Sequence, residues 1–295
     1  MKTDRVILVK PYEFKYNVET ANDNVYQSNN KDETRDEVQE KAINEFENAV
    51  KILRGEGIHV DVLEDYDDKT PDSIFPNNVI VTFPDKLMIC QMYSENRNME
   101  FEKLKPQLEK LWDFNKLDVK DFRNEEGKVL EGTGAIVLDR FNNIAYATIS
   151  KRCDEKEFEK FCSEFGFRKV SFKSEQKSEP VYHTNVIMTM AEKFAMIADD
   201  LIVENREEVL KSLKESGKEI IHLSDEEILN FAGNAIELKG VDKNILVISE
   251  SGLKALSNEK IKVIEKYDKI VPINVDTISY YGGGAIRCMI CENFV

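Results

Sequence analysis

Apolar residues along this chain follow two periods, and the change from one to the other marks out its elements. Val38, Ala42, Phe46, Ala49, Val50 and Leu53 recur at three- and four-residue steps among charged neighbours, which predicts an amphipathic helix ended by Gly55 and Gly57. The N-terminal run VILV predicts a first strand. Ile58, Val60 and Val62 alternate with polar residues as a half-buried strand. The runs VIVTF and KLMIC flank Pro84-Asp85, a hairpin signature. A helix from about Asn98 to Trp112 follows, then strands at VLEGTGAIVLD and IAYATIS joined through Asn142-Asn143.

The same order returns in the second half. A helix near 154–165 precedes strands at KVSF, VIMTM and FAMIA; a helix near 205–216 precedes IIHL, AIEL and ILVIS; a helix near 257–267 and two last strands close the chain. Strands come in pairs between helices, and helices recur about every 50 residues, so the pattern predicts units of strands plus one helix repeated several times. The units share no visible sequence identity. Such units fit an α/β fold with a radial, propeller-like arrangement, whereas a doubly wound sheet would alternate single strands with helices.

Composition narrows the functions. The 41 Lys and Arg against 56 Asp and Glu give a net charge of −15, which argues against a binder of nucleic acid or of an anionic membrane, since both need a basic surface. No segment approaches the roughly 18 consecutive apolar residues of a membrane span. VILV is too short for a signal h-region and is flanked by charge. Cys90, Cys153, Cys162, Cys288 and Cys291 make an odd set without metal-ligand spacing. A soluble protein of a reducing, cytosolic compartment is expected, with 1–295 as one catalytic domain.

Three stretches join reactive residues to turn or glycine chemistry that a core does not require: FPNN at 75–78, LEGTG at 130–134 and GGGAIRC at 282–288. A glycine run lets backbone approach a ligand closely. Cys288 follows it, and the neighbouring Arg287 would favour the nucleophilic thiolate. The alternative is a buried small hydrophobe in a strand RCMIC, as Cys291 is read to be. Of three histidines, His59 and His222 lie within strand-like alternation and read as structural. His183 opens the strand VYHTNVIMTM after a polar loop, where it is either a proton carrier for a thiol or a structural residue. Glu131 sits in an apolar strand-turn segment, either orienting an imidazole or gripping substrate, or as a solvated turn acid.

In order, these stretches resemble the guanidine-modifying, or pentein, superfamily of arginine deiminases, dimethylarginine hydrolases and amidinotransferases. The resemblance runs from PDSIFPNN to the C-terminus and implies a five-bladed pseudo-symmetric α/β propeller. It implies that Cys288 attacks a planar carbon, that His183 is the general acid and base, and that Glu131 orients it. It further implies that Asp72 holds a substrate α-amino group and that Arg97, in SENRNME, and Arg152, in SKRCDE, bind its carboxylate. Asn77 and Asn78 stand where the family places carboxylates that grip guanidinium, and Asn185, in HTN, replaces another acid.

Amides suit a neutral ureido group, whereas a buried guanidinium calls for a negative partner; Asn77 and Asn78 can also be read as a plain turn after Pro76. The strings PDSIFPNN, EGTGAIVLDR, YHTNV and FAGNAIEL look most like citrulline-utilisation hydrolases, which implies a citrulline ureidase forming ornithine, ammonia and carbon dioxide. Rival readings are an arginine deiminase or dimethylargininase, an amidinotransferase, and a non-catalytic propeller that binds a macromolecular partner. The resemblance implies a small amino-acid substrate and no cofactor or metal. A homo-oligomer is compatible with the sequence. The polar segment 17–37 reads as a flap over the site or as a surface excursion.

Overall fold

The computed structural model describes residues 2–30, 32–66, 68–124 and 126–295. The two periods of the sequence resolve into five small sheets, four of three strands and one of five. Each is built on one plan: a short strand pairs antiparallel with the next, a helix crosses over, and a third strand runs parallel to the second. Ile80–Thr82, Lys86–Ile89 and Asp118–Asp121 do this around helix Glu100–Leu111. Val137–Asp139, Ile144–Thr148 and Arg168–Gln176 do it around Glu155–Phe165. Met188–Met190, Phe194–Ile197 and Glu219–His222 follow around Arg206–Glu215. Ile236–Leu238, Ile245–Ser249 and Lys269–Ile273 enclose helices Glu250–Ala255 and Asn258–Tyr267. A parallel pair needs such a crossover because a tight turn cannot reverse the chain twice.

The fifth unit is made from both ends of the chain. Cys291–Glu292 pairs antiparallel with Arg5–Pro11, which runs parallel to His59–Asp65 after helix Arg35–Gly55. The ring is thereby closed by hydrogen bonds and not by covalent order. All six apolar residues that predicted the first helix are buried, and Thr34 and Glu37 form a capping box at its start, worth about 1 kcal/mol. The hairpin turns fall where the sequence places them, Asn143 taking a left-handed φ of 52° that Asn tolerates. Among the described residues no helix is long and apolar enough to cross a membrane.

Several expected strands begin as a helical turn instead. Gly132–Ala135, Thr184–Ile187 and Ile286–Met289 are single turns, so VLEGTGAIVLD, VYHTNVIMTM and RCMIC enter the sheet only at Val137, Met188 and Cys291. Pro76–Asn78 is a comparable turn ahead of Ile80, and Asn234 N closes a turn onto Phe231 O ahead of Ile236. Apolar composition cannot separate a buried turn from a buried strand, because both hide every side chain. The helix Asp276–Gly282, which the sequence pattern did not mark, ends at the glycine run.

One buried carboxyl pair sits away from these turns. No donor reaches either oxygen of Asp268. Burial, and then the charge of Glu237, push its carboxyl from an ordinary 3.8 up to about 7. Its folded value lies above its unfolded one, so the carboxylate destabilises the fold increasingly as pH rises through about 7. Asp268→Asn is expected to stabilise the protein at pH 8 by on the order of 2 kcal/mol and to lose that advantage near pH 4, as read from urea unfolding at both pH values.

Candidate active site

The turns that precede the first strand of each unit point at one place, and Asn77, Asn78, Glu131, His183, Asn185 and Cys288 stand on them or at their starts. Cys288 lies in the turn Ile286–Met289 and is 3% exposed. The glycines before it are needed for contact, since a Cβ on Gly284 would stand 3.2 Å from Cys288 Cβ and 3.3 Å from its Sγ. Gly283 has φ +65°, and a Cβ there would lie 2.4 Å from Asn24 Nδ2, so both space and backbone conformation exclude a side chain. Tyr182 Oη donates to Gly283 O at 2.7 Å and pins the run from the other side.

The thiol is held by two amides. Asn234 Nδ2 lies 3.2 Å and Asn185 Nδ2 3.5 Å from Cys288 Sγ, and Asn234 Nδ2 also donates to Asn185 O at 3.0 Å. Burial pushes the thiol pKa up, against opposing pulls from Asn234, Arg287 and Asn185. Arg287 favours the thiolate, as expected, but its guanidinium is bonded to Ile290 O at 2.7 Å and to Glu292 at 3.4 Å, and its attraction is outweighed by desolvation.

His183 caps the turn Thr184–Ile187 and is 2% exposed. Its Nε2 lies 2.7 Å from Glu131 Oε2, while Tyr93 N donates to Glu131 Oε1 at 2.9 Å and Arg152 Nη1 stands 3.6 Å from Oε2. Glu131 is wholly buried, which removes the reading as a solvated acid. Burial opposes its ionisation, yet Arg152 and His183 overcome this and hold the carboxyl down at about 2. Burial lowers the pKa of His183 despite that bond. A carboxylate can only accept, so a neutral His183 gives Nε2–H to Glu131 and leaves the Nδ1 lone pair free.

Gly134 makes room for that face of the imidazole. A Cβ there would lie 2.8 Å from His183 Nδ1 and 2.2 Å from Asn78 Nδ2. Gly134→Ala is expected to lower kcat/KM by on the order of 10²-fold, because small displacements of reacting groups have effects of that size, and to lower the unfolding midpoint as well, because the added methyl overpacks a buried site.

Asp72, Asn78, Arg97, Arg152, His183 and Cys288 line one cleft of about 20 Å³, room for a single water. Asp72 Oδ1 and Asn78 Nδ2 are buried without a protein partner, and burial raises the Asp72 pKa against the pull of Arg97. Asn77 is fully buried beside the cleft, with both amide atoms left without a protein partner. Arg97 is 2% exposed and serves the protein itself: Nε and Nη2 bond Glu100, Nη1 bonds Asn78 Oδ1 at 2.9 Å, and Nη2 reaches the carbonyls of Asp72 and Phe75. Arg152 meets Asp23, as described below. Neither arginine is a surface charge.

Asn234 is the residue that sequence reading passed over. It stands just ahead of the first strand of its unit, as Asn78, Asn185 and Cys288 do in theirs, so comparing units by position would have pointed to it. From segment 17–37, of which residue 31 lies outside the described residues, Thr20 and Asn24 line the cleft. Among the described residues no group of three His, Cys, Asp or Glu could hold a metal ion.

Residues 10–295 match the family described as N,N dimethylarginine dimethylhydrolase, eukaryotic. No curated protein sequence matches the chain. The N-terminal domain of ArgZ, an arginine dihydrolase of cyanobacteria, has a TM-score of 0.76 at 16% identity, over 98% of this chain and 97% of that one; the match spans 40% of a longer ArgZ chain. Unliganded AgrE gives 0.75 at 17% identity, over 98% and 39%. A dimethylarginine dimethylaminohydrolase adduct with S-methyl-L-thiocitrulline gives 0.69 at 14%, over 99% and 100%. These structures share the fold of five small sheets. The chain belongs to the N,N-dimethylarginine dimethylhydrolase family of the guanidine-modifying superfamily and is a hydrolase of C–N bonds other than peptide bonds.

Proposed function

We propose that residues 1–295 form one catalytic unit that hydrolyses the terminal C–N bond of an arginine-type guanidino amino acid through a covalent intermediate on Cys288. The observation that carries this reading is the convergence, in one closed cleft, of the Cys288 thiol, the Glu131-held His183 and the unpartnered Asp72 Oδ1. Asp72 accepts from the α-ammonium, Arg152 takes the carboxylate, and Arg97 holds Asn78 and the 72–75 backbone in place. Fixing the remote end sets the planar carbon over the thiol.

Proton transfer from the thiol, accepted at His183 Nδ1, accompanies attack of sulfur on that carbon. The resulting imidazolium protonates the leaving nitrogen as its C–N bond breaks, and neutral His183 then takes a proton from the water that cleaves the C–S bond. Support comes from relatives: a cysteine variant of AgrE holds L-arginine, and ArgZ is an arginine dihydrolase. The five cysteines are free and buried, in keeping with a cytosolic setting.

A second reading, citrulline ureidase, is favoured by one observation. The thiol's side-chain partners are the amides Asn185 and Asn234, and the nearby Glu131 is committed to His183. Arginine, N,N-dimethylarginine and citrulline offered in parallel, with ammonia, dimethylamine, citrulline and ornithine quantified, decide between them. Turnover of either arginine at least tenfold above citrulline is the expected result. Ornithine formed from citrulline alone would overturn the first reading in favour of the second.

A further inference from the structure

One short segment occupies both groups that hold the charged ends of the amino acid in the proposed reading. Asn17 Nδ2 and Thr20 Oγ1 each donate to Asp72 Oδ2 at 2.8 Å. Asp23 then meets Arg152 as a two-point carboxylate, with Nε to Oδ2 at 3.0 Å and Nη2 to Oδ1 at 2.5 Å. This is the fork by which an arginine holds any carboxylate. The pair is shielded from water, the side chains being 3% and 9% exposed. Asn24 Nδ2 fastens the segment to the carbonyls of Gly282 and Gly283. Closed in this way, the cleft of about 20 Å³ is far too small for an amino acid with an extended side chain.

The two ends are not equivalent. Asp72 keeps Oδ1 without a partner, so it can take an ammonium while Asn17 and Thr20 hold its other oxygen. Arg97 is already bonded through Nε, Nη1 and Nη2. An incoming α-carboxylate that takes the two-point fork of Arg152 must therefore replace Asp23. Beside the pair lies a cavity of about 430 Å³ whose walls include Asp23, Ile149, Lys151 and Tyr182. Lys151 is exposed and has no ion-pair partner among the described residues.

We infer that Asp23 is a built-in stand-in for the substrate's α-carboxylate: a carboxylate-bearing substrate opens the site by exchanging with Asp23 on Arg152, and Asp23 moves into the neighbouring cavity toward Lys151. This rests on the proposed reading of Arg152 as the carboxylate partner. Exchange of one carboxylate for another keeps the buried guanidinium paired throughout, avoiding an uncompensated buried charge. It also favours ligands that carry an α-carboxylate, because a ligand without one must bind with Asp23 still on Arg152.

The test measures equilibrium binding by calorimetry in a Cys288→Ala background, where turnover cannot interfere. The ligands are arginine with agmatine, the same guanidine lacking the carboxylate, and citrulline with N-carbamoylputrescine. The competent fraction limits apparent affinity, so Asp23→Asn is expected to tighten binding of the amino acid by about tenfold and to leave the amine within about twofold. Lys151→Ala is expected to weaken the amino acid alone. Equal shifts for both ligand types, or weaker amino-acid binding on Asp23→Asn, would overturn the gate. Arg152→Lys separates the underlying reading: if the ratio of amino-acid to amine affinity stays unchanged there, Arg152 is not the carboxylate partner, whatever Asp23→Asn does. Thermal unfolding of each variant verifies that it is folded.

Discussion

Cys288→Ala is expected to lower turnover by on the order of 10⁴-fold or more, as loss of a covalent nucleophile does, while leaving the fold intact. The side chain is buried, but alanine removes only the sulfur and its two amide contacts, from Asn234 and Asn185. Cys291 supplies the control. It is equally buried, and its sulfur faces Ile80 O at 3.7 Å, so Cys291→Ala should keep activity within about threefold and show instead a modest loss of stability. Mass-spectrometric labelling with a haloamidine should modify Cys288 and spare Cys90, Cys153, Cys162 and Cys291, because only Cys288 combines the cleft with a proton acceptor. Full activity in Cys288→Ala would end the covalent reading.

The second large effect concerns the proton. His183→Ala is expected to reduce kcat by about 10²- to 10⁴-fold, with a smaller change in KM, since the ring moves protons and does not hold the charged ends of the substrate. The pH profile carries the sign. Burial lowers the His183 pKa below its ordinary 6.5, and the imidazole must be neutral to accept the thiol proton. Activity is therefore retained as pH falls to 6.5 and is lost only below it. Burial raises the Cys288 pKa above its ordinary 9.0, so loss on the alkaline side, where the thiol has already given its proton to water, begins beyond that value. The expected profile of kcat/KM is a broad plateau with limbs outside these two values. Glu131→Gln should move the acid limb lower still, because Glu131 is the group that raises the His183 pKa against burial. An acid limb above 6.5 would show that His183 works as a cation in the free enzyme.

The repeated plan was legible in the sequence because it rests on periodicity. The helix at Arg35–Gly55 and the hairpin through Pro84-Asp85 follow from residue spacing and turn chemistry, which act over a few residues. Glu131, His183 and Cys288 stood out for a related reason: a carboxylate, an imidazole and a thiol beside glycines or in apolar surroundings need partners that a plain core does not supply. What failed was the local form around them. All three were placed in or beside strands, and all three sit at helical turns. Asn234 was missed because an asparagine after a glycine carries no local mark of its chemistry.

By itself the sequence determined the strand-and-helix units and singled out Cys288, His183 and Glu131 as candidates, since these depend on local pattern and intrinsic reactivity. Only the tertiary structure decided the rest. It showed that the ends of the chain complete the fifth unit, that the Arg287 guanidinium is bonded to Ile290 O and Glu292, and that Asn234 joins Asn185 on the thiol. It also placed Asp23 on Arg152, 129 positions away. Hydrogen bonds and burial act through space, and which charge meets which is set once five separate turns close on one axis.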